Sequence, residues 1–440
     1  MAKTCALVIS MLLLVVAVPS YAALIEYKDT GGTHDLSVAG DWWVITNSAD
    51  PNSITGATRL PGFADLTFIR TGVTGLTLAG ATINANLVSI GSASPSGVGT
   101  EVVVGAGGTI ETHGLPSNAT TINLVIGNNK DATLTVNGGT VKAMDVAGTG
   151  GSYITLGGKD TAVVGTLNVQ SGLVQFGSFT AGWNNGIGIV NHSGGTMQYI
   201  NQASPRFWLG SGNDVAIAGR CEYNLSGTGF IDLNGGTGAQ IKMGYKGSMS
   251  LFNMTGGSIS SQTISGTCLY LGTSAVSVTE FRLLGGKMDL RGQMSSAGTS
   301  KFVVNQAGAM ELGWQWWTQS ANDTIELLVN STNDFQLKSS TVSWFSGTKF
   351  NGVLTDGYTP TVGQTWKLVD AGAGTITLPS DGWHPDLSRF DFYTYRDGQG
   401  AGWALYKDTV NNDVRLEYVP EPATLSVLVL GGLALLRRRR

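Results

Sequence analysis

The stretch that decides the fold is LVIGNNKDATLTVNGGTVKA, Leu124 to Ala143. A short apolar run ends in a glycine and a polar turn follows. Then come the alternating run Leu134-Thr135-Val136, a Gly-Gly step and a last short strand. Alternation of period two gives each strand one buried face. The same grammar returns in ITLGGKDTAVVGTLNVQSGLVQF (Ile154 to Phe176), IKMGYKGSMSLFNMTGGSIS (Ile241 to Ser260) and LYLGTSAVSVTEFRLLGGKMDL (Leu269 to Leu290). The second glycine of the step, or its equivalent, falls at Gly108, Gly139, Gly172, Gly195, Gly227, Gly257, Gly286 and Gly308, with gaps of 22 to 33 residues. Units of that length, joined by short polar turns, stack on one another because none can bury its apolar face alone.

The stacking makes specific demands on the interior. Leu134, Val136 and Val141 point inward, with Leu167, Val169 and Val174 on the next coil. Phe252, Met254 and Ile259 follow, then Phe281, Leu283 and Met288. Glycines at the corners supply backbone conformations that a Cβ obstructs. The reading is an all-β chain, a right-handed parallel β-solenoid of about eight imperfect repeats of ~30 residues. An array of β-sandwiches is the alternative, since its strands are also short and evenly spaced.

Composition agrees with this reading and closes off others. Glycine supplies 63 of 440 residues, about twice its usual share of roughly 7 %. Hydrophobic residues make up 42 % and charged ones only 13 %. There is apolar surface enough for a core, so a disordered polyampholyte is excluded. Eleven prolines without a Gly-X-Y period exclude collagen. A net charge of −4 with no basic cluster in the body argues against nucleic acid as a partner.

The ends of the chain differ from its body. Lys3 precedes the apolar run Ala6 to Val18, and Ser20-Tyr21-Ala22 offers the small residues that a signal peptidase reads. Residues 1–22 are therefore expected to be a secretory signal cleaved between Ala22 and Ala23, with a retained anchor as the alternative. At the other end, Pro420-Glu421-Pro422 is followed by the apolar run Ala423 to Leu436 and then Arg437, Arg438, Arg439 and Arg440. A helix of that length covers about 21 Å at ~1.5 Å per residue, short of a ~30 Å hydrocarbon core. Four arginines hold that end in the cytoplasm, which puts the body on the far side, as the signal also does.

Residues 419–440 resemble the PEP-CTERM sorting signal of exported proteins of Gram-negative bacteria. The resemblance rests on Pro420, Glu421 and Pro422, a short apolar helix containing Gly431-Gly432, and the arginine cluster. It implies export by the Sec route, transient anchoring in the inner membrane, and removal of the tail by an exosortase, a transpeptidase-like membrane enzyme. The mature protein would then sit at the cell surface or outside the cell. The two prolines suit such a motif, because they disfavour helix and leave a rigid extended segment just outside the bilayer. An ordinary tail anchor is the plainer alternative.

Four parts are expected besides the signal: an N-terminal β cap over 23–86, Gly-rich solenoid repeats over 87–318, a C-terminal β domain over 319–418, and the sorting segment 419–440. The cap follows from the need to cover an open solenoid end. The region 319–418 lacks the Gly-Gly grammar and is similar to the terminal β domain that closes autotransporter-type passengers.

Chemistry is sparse. His34, His113, His192 and His384 have no carboxylate or cysteine at metal-ligand spacing, and they read as surface or turn residues. There is no nucleophile elbow and no phosphate-binding loop, and the Gly-Gly pairs lie between strands rather than before helices. Asp131, Asp160 and Asp214 follow strand-ending glycines; they read as turn residues, or as a weak Ca²⁺ ladder if stacked. Neither a resident metal nor a cofactor is expected, and no enzyme activity. Trp314, Trp316 and Trp317, with Trp42 and Trp43 near the other end, read either as caps of the solenoid or as glycan contacts. Exposure and coplanarity of the three decide between these. Cys5 leaves with the signal, and Cys221 with Cys268 leaves a disulfide open. The function expected is an exported structural or adhesive surface protein. The alternative is a β-helical protein that binds or degrades polysaccharide.

Overall fold

A computed structural model describes residues 24–419 apart from internal segments, of which 46–53, 92–98, 115–122, 212–218 and 379–392 are the longest. The expected signal, the sorting motif with its apolar run and arginines, and His384, Asp160 and Asp214 lie outside the described residues. The chain is all-β: among the described residues 34 strands form one continuous hydrogen-bonded sheet. A single 3-10 turn, Ala39–Asp41, is the only helical element among the described residues.

Most neighbouring strands pair in parallel with a strand one unit further along the chain. Ala132–Asp145 pairs with Val164–Phe176, which pairs with Ile187–His192 and Thr196–Tyr199. Met249–Ser261 pairs likewise with Val278–Leu290. Following partners in this way traces three parallel ladders. In one of them, ten pairings join eleven strands from Leu76–Leu78 to Lys349–Leu354. Long strands such as Ala132–Asp145 and Val164–Phe176 run through two ladders, and the apolar faces turn to a common interior.

The register matches the expectation. Leu134 lies beside Leu167, Val136 beside Val169 and Val141 beside Val174. Phe252 lies beside Phe281, Met254 beside Leu283 and Ile259 beside Met288. All twelve are buried. The inward column at the Leu134 position becomes aromatic further along the chain. Tyr223, Phe252, Phe281 and Phe302 stack ring on ring at 4.7, 4.8 and 5.8 Å between centroids. Each such pair adds about 0.5–1.5 kcal/mol beyond the area it buries.

One corner glycine was misplaced. Thr196 pairs with Phe230 and Phe230 with Ser258, so Gly229 follows Gly195 and precedes Gly257, and Gly227 stands two residues earlier in the turn. Elsewhere the need for glycine is plain: Gly172 has φ +92°, and a Cβ there would overlap the Gly139 carbonyl oxygen.

The boundaries drawn at 87 and 318 do not coincide with a change of pairing. Leu66–Ile69 and Thr82–Ala85 already belong to parallel ladders, and parallel pairing continues to Thr375–Thr377. The late units were hidden because they turn their corners without Gly-Gly. Buried Gln306 does it with a side chain: Oε1 accepts from the Asn330 and Ser331 amides at 2.9 and 3.0 Å, while Nε2 donates to the Ser331 and Asn333 carbonyls. Antiparallel pairing marks the two ends. Trp42–Ile45 pairs with Leu24–Tyr27 and with Ile54–Gly56. Asp413–Val419 pairs with Thr365–Asp370 and with Gly402–Asp408. Trp42 is fully buried, donates Nε1–H to the Leu36 carbonyl at 3.0 Å and meets Tyr27 edge-on.

Candidate functional site

The ladder that runs through Arg206–Ser211, Ile241–Tyr245, Thr267–Leu271, Gln293–Ser296 and the end of Ala309–Thr318 carries an aromatic strip on its outer side. Register puts Trp208 beside Lys242, Lys242 beside Tyr270, Tyr270 beside Ser295 and Ser295 beside Trp317. Further along the same pair of strands, buried Ser211 lies beside Tyr245. Trp208 stacks on Tyr245 at 4.3 Å with 24° between the rings. The Lys242 ammonium lies 5.2 Å from the Tyr270 ring centre, and that of Lys246 lies 5.5 Å from the Tyr245 ring. Trp208, Lys242, Tyr245 and Tyr270 are partly exposed, Lys246 is exposed, and Trp317 keeps 40 % of its surface in water. Ser295, between Tyr270 and Trp317, is buried and receives a hydrogen bond from Gln319 Nε2 at 2.7 Å.

The tryptophan cluster singled out in the sequence is divided. Trp314 and Trp317 are exposed, but Trp316 is a core residue at 1 % exposure. It packs edge-on between Phe302 and Trp344, 5.2 Å from each. The three therefore form no common platform, and Trp316 is removed from the candidate glycan contacts. The cause is the break in register between Leu312 and Gln315. Met310, Leu312, Trp316 and Thr318 all face inward, so the parity of the strand is kept across the break and Trp314 alone is turned out. Trp43 is only half-buried.

Other candidates fare unequally. Asp131 is exposed, and its carboxylate accepts the Val164 amide at 2.9 Å, which is turn chemistry linking two units. Among the described residues no group of three or more His, Cys, Asp or Glu could hold a metal ion. His34 is exposed in a left-handed turn. His113 meets Glu111 at 2.7 Å, with Lys142 at 3.4 Å on the adjoining strand. Burial works against the Glu111 charge, but the His113 hydrogen bond and the Lys142 ammonium outweigh it and hold the carboxyl below its ordinary value.

His192 is the exception to the surface reading. It occupies an inward position between Val169 and Leu225 and is fully buried. Its Nε2 donates to the Gly195 carbonyl at 3.1 Å, and its Nδ1 accepts from the Tyr223 hydroxyl at 2.9 Å. Burial lowers its pKa to about 4, so the ring is neutral at neutral pH. Cys221 and Cys268 are both free and buried, and burial pushes both thiols up. Such thiols are poor nucleophiles.

A ladder of asparagines went unread in the sequence. Asn191 Nδ2 donates to Asn168 at 3.0 Å, Asn224 Nδ2 to Asn191 at 3.1 Å, and Asn168 Nδ2 to Thr135 at 3.2 Å. Aligning the repeats on Gly172, Gly195 and Gly257 puts Asn168, Asn191 and Asn253 at one offset of four; Asn224 escapes because it stands five residues before its own corner glycine, Gly229. A second outer face forms a shallow groove of about 540 Å³ whose lining includes Met249, Leu251 and Val278. Two of its charged lining residues are paired, Glu280 with Arg282 at 2.6 Å and Lys301 with Glu326 at 2.9 Å.

Comparison with protein-family models, with curated proteins and with solved structures finds no match for this chain. Among the described residues no helix is long and apolar enough to cross a membrane.

Proposed function

We propose that the chain is an exported, non-enzymatic structural or adhesive protein of the cell surface or extracellular matrix. Its body is a right-handed parallel β-solenoid, and its C-terminus is trimmed by an exosortase-type enzyme. One observation carries the sorting half of this reading: Pro420-Glu421-Pro422, a short apolar run and four arginines, in that order, at the end of the chain. The parallel ladders support the rest, since a rod of repeats whose outer faces are ladders of side chains suits display and adhesion better than turnover. Loss of Lys3 with the signal, and of Glu421 and four arginines with the tail, takes the net charge from −4 to −8. A modestly acidic rod resists self-association.

The test is replacement of Pro420, Glu421 and Pro422 together by alanine in a host that carries an exosortase. The apolar run still inserts but goes unread, so the variant stays in the membrane fraction with its tail attached. Release of the alanine variant with the same processed mass as the wild type would rule the motif out as the signal. Polysaccharide binding is the second reading, and the outer aromatic strip favours it.

A further inference from the structure

We propose that the strip formed by Trp208, Lys242, Tyr245, Lys246, Tyr270 and Trp317 binds a polysaccharide in which acidic sugars alternate with neutral ones. This deepens the surface-protein reading by naming what its adhesive face holds; it rests on that reading only for the ligand's presence outside the cell.

Three observations carry the inference. The first is geometric. Trp208, Tyr270 and Trp317 occupy one outward column at every second strand, with Lys242 and Ser295 between them. Adjacent strands lie ~4.8 Å apart, so the rings recur about every 10 Å along the ladder. Sugars in an extended β-linked chain present the same ring face at every second unit, on that same scale. Between Tyr270 and Trp317 the Gln319 amide, bonded to buried Ser295, offers a polar group to the intervening sugar.

The second observation is electrostatic. The strands Ser178–Trp183, Arg206–Ser211, Ile241–Tyr245, Thr267–Leu271 and Gln293–Ser296 contain no aspartate or glutamate, and the one acid of the strand that carries Trp317, Glu311, lies beside Asp289 in a different ladder. Lys242 and Lys246 therefore stand on a strip without acids, in a protein whose net charge is −4. Their local sign opposes that of the whole molecule, which selects for an anion held at this place. Two lysines on several rings match sparse carboxylates. A nucleic acid, with a phosphate at every unit, would meet the repulsion of the remaining acidic surface.

The third observation is that both ammonium groups lie over tyrosine rings, 5.2 and 5.5 Å from the centroids. The cation–π contacts fix both charges within the aromatic strip. A uronic sugar lying along the strip beside Tyr270 thus finds Lys242 within reach of its carboxylate. Trp317 is exposed and Trp208 and Tyr270 are partly so, which leaves aromatic surface along one column for a ligand to cover.

The probe is a hyaluronan octasaccharide, whose carboxylates fall on alternate sugars, tested by calorimetry against the purified full chain. Its carboxyl-reduced form and oligo-dT serve as comparison ligands. Hyaluronan is expected to bind, with affinity that falls as salt rises and is weaker for the reduced form. Tyr270→Ala and Lys242→Ala should each cost about tenfold or more in Kd, a loss of ~1.4 kcal/mol. Lys242→Arg should retain binding, as should Lys338→Ala on another outer face. Unchanged melting of the variants separates a lost contact from a lost fold. No binding of hyaluronan, equal binding by Tyr270→Ala, or preference for oligo-dT would each overturn the proposal. None of these outcomes touches tail processing, so failure here leaves the sorting assignment standing.

Discussion

Acidification should reveal His192. The residue fills an inward column position between Val169 and Leu225, and burial lowers its pKa to about 4 from an ordinary 6.5. The unfolded chain takes up a proton on this ring as pH falls below about 6.5, whereas the folded chain resists until about pH 4. The folded state binds fewer protons between those values, so stability falls as pH falls through that window and is unaffected by this group above it. A shift of about 2.5 units at ~1.36 kcal/mol per unit is worth about 3 kcal/mol. His192→Leu removes the titration and puts a residue native to that column in its place. Urea unfolding followed by tryptophan fluorescence at pH 7, 5.5 and 4 gives the stability of each protein. The difference between wild type and His192→Leu should move against the wild type by about 3 kcal/mol from pH 7 to pH 4. A difference independent of pH would show that His192 is not a neutral interior residue.

Phe252→Ala should cost about 3–5 kcal/mol, because it opens a cavity between two stacked rings, while Leu251→Ser, on the outer side of the same strand, should cost far less; equal losses in a denaturant melt would refute the register. Asn191→Ala interrupts the asparagine ladder on both sides and should cost about 1–2 kcal/mol, more than Thr166→Ala does on the same face; no difference between the two would make the ladder decorative. Purified protein should cleave neither acidic nor neutral polysaccharides, with or without Ca²⁺. Reproducible chain cleavage lost on Glu111→Ala or Asp131→Ala would replace the structural reading with an enzymatic one.

Alternation and corner glycines are local signals, and what they govern was readable in the sequence. The inward residues from Leu134 to Met288 are buried, and they stack with the partners assigned to them. What escaped depends on long-range register or on unfamiliar corner chemistry. Gln306 closes the Asn330–Asn333 corner of the following unit with amide hydrogen bonds, and no Gly-Gly stands there to mark it. The break between Leu312 and Gln315 turns Trp314 outward although Leu312 and Trp316 on either side of it face in, which no fixed period anticipates. The candidate site is legible only in fragments. Trp208, Lys242 and Tyr270 are about thirty residues apart, and nothing in their own surroundings links them until the pairing of strands sets them side by side. His192 hid for a related reason: its column is apolar in the neighbouring units, and the Tyr223 hydroxyl that meets its inner nitrogen comes from the next one.

The central claim is that this rod is exported and then parted from its tail. Intact-mass analysis of the protein extracted from the cell surface, in a host with an exosortase, reads both ends at once. The account predicts a chain that begins at Ala23 and stops close to Pro420-Glu421-Pro422, without the apolar run or the arginines. A mature protein that still ends in Arg440 would contradict it.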